Sequence, residues 1–102
     1  MTPNEIAINV AKDYLRQLEY TEVSLKIFFS NAEAYQHSVQ KWAVKEVIRE
    51  LKAHMDIPPL ATLEELARTW DRWSVDRPGE AVRLIFSIGK DTVVTIIDYL
   101  IK

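Results

Sequence analysis

An all-α fold, a compact bundle of five or six helices, is predicted by three features of the sequence. Thr2 with Glu5, Ser30 with Glu33 and Thr62 with Glu65 each have the Ser/Thr-x-x-Glu spacing of a capping box ahead of an apolar run. The 102 residues include only 2 Gly and 4 Pro, too few turn-formers for a fold of many short strands. In the C-terminal segment the polar positions Glu80, Arg83, Ser87, Lys90 or Asp91, Thr95, Asp98 and Lys102 step by three or four, the period of a helix.

The first helix is expected from about residue 3 to about residue 19. Pro3 suits the first helical position. Ile6, Val10, Ala11, Tyr14, Leu15 and Leu18 form an apolar stripe, and Glu5, Asn9, Lys12, Asp13 and Arg16 the opposite face. Residues 20–29 are ambiguous. Val23, Leu25, Ile27 and Phe29 alternate as in a strand, but a lone strand has nowhere to place its backbone hydrogen bonds. Its sole plausible partner, residues 82–88, reads as helix. Helix is therefore the reading for 20–29, with a short strand as the alternative.

The second capping box opens a long helix that ends before Pro58-Pro59. At about 100° per residue, Ala32, Tyr35, Val39, Trp42 and Ala43 cluster on one side. Val44, Val47, Ile48, Leu51 and Met55 cluster on another, which describes a central helix touching several neighbours, or one kinked near Ala43. The third box starts a shorter helix with Leu63, Leu66, Ala67, Trp70 and Trp73 on its apolar face, followed by a loop over residues 74–79. Gly89 is expected to kink or end a helix in the C-terminal segment, which should be buried on several sides. No linker divides the chain, so residues 1–102 read as one helical domain.

Composition narrows the function classes. A net charge of -2 gives no general attraction for a phosphate backbone, and the lack of Cys excludes disulfides and thiolate chemistry. Charges interrupt the most apolar stretch, residues 82–101, so it is a poor membrane span, and the expected location is cytoplasmic. His54 lies four residues after Glu50 and two before Asp56, but no pair has the spacing of zinc ligands on a helix, and neither metal nor cofactor is called for. No catalytic motif is visible.

Lys41, Lys45, Arg49 and Lys52 share one side of the long helix and form a candidate patch for an anion or a partner. Glu46 and Glu50 flank that stripe and partly neutralise it. The reading that follows is a non-catalytic protein–protein interaction module whose partner is another protein or a second copy of itself. The excess of apolar residues for so short a chain argues for a covered surface. A small nucleic-acid-binding regulator using the basic stripe stands second, and a small enzyme third.

Overall fold

Four helices, not five or six, make up the computed structural model, which describes residues 1–25 and 28–102. They are α1 (Pro3–Leu25), α2 (Asn31–Ala53), α3 (Pro59–Asp76) and α4 (Glu80–Ile101). The number is lower than expected because two anticipated breaks do not occur. Residues 20–25 simply continue α1, and residues 26–27 lie outside the described residues. The strand alternative finds no support among the described residues, since residues 82–88 sit inside α4 and spend their backbone bonds there.

The second absent break is at Gly89. It lies within an unbroken α4, where a Cβ would come 2.9 Å from Cε3 of Trp70. Gly89 therefore ends no helix, and its missing Cβ serves close packing of α4 on α3. Gly79 is a different case. It caps α4 at φ 91°, a backbone conformation that L side chains rarely adopt.

Two of the three expected caps form, the first as a full reciprocal box and the second through its serine half. The Glu5 amide donates to Thr2 Oγ1 at 3.1 Å while the Thr2 amide donates to Glu5 Oε1 at 3.2 Å. Likewise the Glu33 amide donates to Ser30 Oγ at 3.2 Å. The Thr62–Glu65 box does not form, because α3 begins three residues earlier at Pro59. A proline there needs no amide partner and has its φ preset for a helix. Thr62 is thus inside the helix, and Glu65 turns to Arg68. At the far end α3 continues to Asp76, leaving a loop of residues 77–79 in place of 74–79.

The core draws on every helix: Ala7, Ile8 and Ala11 from α1, Ala43, Val44, Val47 and Leu51 from α2, Leu63 and Trp70 from α3, Val93 and Ile96 from α4. On α1 the expected stripe holds from Val10 to Leu18 and differs at its start, where Ile6 is exposed and Ala7 and Ile8 are buried. Burial also extends to Asn4, whose Nδ2 donates to the carbonyls of Leu51 (3.3 Å) and His54 (3.0 Å). One side chain on α1 thereby ties down the end of α2, supplying a donor to the Leu51 carbonyl of its last turn and a second one to the His54 carbonyl, which also accepts the Ile57 amide. As expected of a central helix, α2 packs against the other three. On α4 the expectation of burial on several sides fails in part, for Val82, Leu84, Val94, Tyr99 and Ile101 remain exposed.

Candidate binding groove between the second and third helices

The basic stripe does not stay together as a free patch. Lys41 is half-buried and pairs with Glu22 of α1, and Arg49 pairs with Glu46 one turn away on α2. Lys45 and Lys52 are exposed and make no ion pair among the described residues. The helix spacing sets all four along one side, but only two remain uncommitted.

The carboxylates beside that stripe acquire a different role. Glu46, Glu50 and His54 follow one another at four-residue intervals and so share a face of α2. That face looks across at α3, which returns antiparallel after residues 54–58. Although consecutive, α2 and α3 touch only sparsely, because α3 is drawn onto α4. The unfilled space between them is a groove of about 590 Å³. Of its lining, Thr62 and Trp70 are buried, Leu66 and Trp73 are half-buried, and Ile57 and Ala61 lie exposed near the turn.

An aromatic cluster holds this arrangement in place. Trp42 of α2 stacks on Trp70 with centroids 5.0 Å apart and planes at 17°. Phe86 of α4 meets Trp73 edge-on at 5.0 Å and lies 6.2 Å from Trp70. Trp70 therefore bridges α2, α3 and α4 while also forming the base of the groove. The neighbouring Trp73 ring carries the Arg77 guanidinium 4.4 Å from its centroid, so this indole already receives a cation.

The walls are acidic. Glu46, Glu50 and Glu65 all line the groove, while Arg49 and Arg68, which pair with Glu46 and Glu65, do not. A hydrogen bond from Arg68 at 2.8 Å, together with its charge, holds the Glu65 carboxyl below the usual carboxylate range, so it is ionised at neutral pH. His54 Nε2 lies 3.4 Å from Glu50 Oε2. Asp56 does not join them: among the described residues no three His, Asp or Glu side chains are placed to hold a metal ion. His37 is far from this site, buried between α1 and α2 with its Nε2 2.7 Å from the Leu18 carbonyl.

Sequence reasoning assigned Glu46 and Glu50 to the flanks of the stripe and Thr62 to a cap, while Trp70 and Trp73, on the apolar face of α3, belong to the core and its border and line the groove as well. The four-residue row of Glu46, Glu50 and His54 was the signal that marks a polar face turned toward α3. Among the described residues no helix is long and apolar enough to cross a membrane. Comparison of the chain with protein-family models, with curated proteins and with solved structures finds no match.

Proposed function

We propose that this chain is a non-catalytic protein-interaction module whose binding face is the α2–α3 groove. Its occupant is an amphipathic helix of a partner protein, with an apolar ridge and basic flanks. One observation carries the reading: an apolar base containing Trp70, Trp73 and Leu66 lies between walls bearing Glu46, Glu50 and Glu65. Helix-in-groove recognition needs a slot between two elements, apolar inside and charged at its edges. Charge complementarity at those edges adds specificity and association rate more than affinity. The basic stripe is a weaker candidate, because Lys41 and Arg49 are already paired and the net charge is -2.

The test uses two peptides of roughly 18 residues, long enough to hold some helix in water. Both carry one Leu ridge; one has Lys flanks and the other Glu flanks. The fluorescence of Trp70 and Trp73 reports occupancy. The Lys peptide should bind and weaken as salt rises, and the Glu peptide should not bind. Glu46→Gln with Glu50→Gln should erase most of the difference. Equal binding of the two peptides, or binding of neither, overturns the reading. Duplex DNA bound at low salt and lost in Lys45→Gln with Arg49→Gln would put nucleic-acid recognition in its place.

A further inference from the structure

The geometry points to a carboxylate-reading position at the far end of the groove, where Arg77 lies over Trp73 and fixes the direction in which the partner helix runs. It rests on the reading of the groove as the seat of such a helix. The groove follows α3 from Ile57 at the turn to Trp73, and Arg77 stands one turn beyond. The Arg77 guanidinium sits 4.4 Å from the centre of the Trp73 ring.

That placement has a local cause. Arg16, Arg49 and Arg68 each turn back to an acid three residues earlier, namely Asp13, Glu46 and Glu65. Three residues before Arg77 stands Ser74, whose hydroxyl donates to the Asp71 carbonyl. With no acid there, the guanidinium settles on the indole, where its charge meets the face of the ring. Asp76 and Glu80, the nearest acids along the chain, form no ion pair with it, and Asp71 is taken by Lys90 at 3.6 Å. Among the described residues the Arg77 side chain has no hydrogen-bond acceptor. Arg83 donates to the Arg77 carbonyl at 3.0 Å, which ties down the backbone and adds a second positive charge nearby.

A guanidinium held over a ring keeps its N–H edge for an acceptor. Its fork matches a carboxylate, which it takes through two parallel hydrogen bonds. The remaining charges decide which end of the partner brings that group. Glu50 and Glu65 line the groove nearer the turn and favour the partly positive N-terminus of a helix, whereas Arg77 favours the partly negative C-terminus. The partner helix therefore runs parallel to α3, with its N-terminus at the turn and a carboxylate of its last turn on Arg77. An acidic side chain and the free end of the partner's chain present the same two oxygens.

The test uses a Leu-ridged, Lys-flanked helical peptide in four forms. Three have a blocked C-terminus and carry Gln in the last turn, Glu in the last turn, or Glu in the first turn; the fourth carries Gln and a free C-terminal carboxylate. Binding is read by calorimetry, because changes at Arg77 alter Trp73 emission directly. On the wild type, one or both last-turn carboxylates should bind about fivefold more tightly than the blocked Gln form, the order of one well-placed exposed ion pair. The form that gains identifies the source. Glu in the first turn should gain nothing. The gain should vanish on Arg77→Gln and shrink on Arg77→Lys, which keeps the charge without the fork. Equal binding of the blocked Gln form to wild type and variants shows the groove intact in each. A last-turn Glu alters the free peptide helix identically for every protein variant, so comparison across variants cancels that effect. No gain from either carboxylate, a gain that survives Arg77→Gln, or a larger gain from first-turn Glu overturns the position and leaves the groove reading standing. Failure of all four forms to bind the wild type overturns the two together.

Discussion

Two seams of this bundle, each between consecutive helices, have opposite character. Between α3 and α4 the contact is extensive. Gly89 gives Trp70 room to lie against the α4 backbone, Phe86 packs on Trp73, and Lys90 reaches Asp71 at 3.6 Å. Between α2 and α3 the contact is sparse, and Glu46, Glu50 and Glu65 line the gap together with Leu66, Trp70 and Trp73. Chain proximity is the same in both cases. What differs is that rings and a glycine meet along one seam, while carboxylates line the gap at the other. A missing Cβ opposite an indole closes a seam; carboxylates opposite a buried threonine hold one open. The same Trp70 belongs to both, with Trp42, Phe86 and Gly89 around it and the groove above it.

The largest effect should come from breaking the closed seam. Trp70→Ala should lower unfolding free energy by about 3–5 kcal/mol, the usual cost of truncating a buried aromatic. Gly89→Ala is the finer probe. Helix propensity favours alanine by about 1 kcal/mol, while overpacking against a ring held by Trp42 and Phe86 costs about 1–3 kcal/mol. The net should be a loss of about 1 kcal/mol in urea unfolding. In a Trp70→Ala background the clash is gone, and Gly89→Ala should become stabilising. Additive effects would show that Gly89 is not required by Trp70.

The open seam should respond with the opposite sign. Thr62→Val removes a hydroxyl without a partner and preserves shape, so it should raise stability by about 1 kcal/mol. A fall in the melting temperature would show that the hydroxyl finds a partner in solution.

The smallest effect concerns the basic stripe, and it sharpens the contrast between committed and uncommitted charge. Lys45→Gln should leave stability within about 0.5 kcal/mol of wild type, as exposed charges do. Lys41→Gln should cost more, up to about 1 kcal/mol, because Lys41 is half-buried against Glu22 and ties α2 to α1. Equal midpoints for the two variants would mean that the interhelical pair contributes nothing.

The sequence by itself determined the all-helical class, the caps at Thr2 and Ser30, the apolar face of α3 and the helical period of α4. Each depends on residues within one or two turns, where backbone geometry and spacing act directly. It also marked α2 as a helix with several neighbours. Only tertiary structure decided the rest. Pro59 outcompeted Thr62 for the start of α3, since a ring that needs no amide partner can begin a helix earlier than a side chain can cap it. Gly89, a breaker by propensity, became a packing site because Trp70 comes from another helix. Whether Glu46 and Glu50 neutralise lysines or wall a groove depends on where α3 lies. That position follows contacts more than a helix length away along the chain, between the aromatic rings of α3 and α4, and no local pattern encodes it.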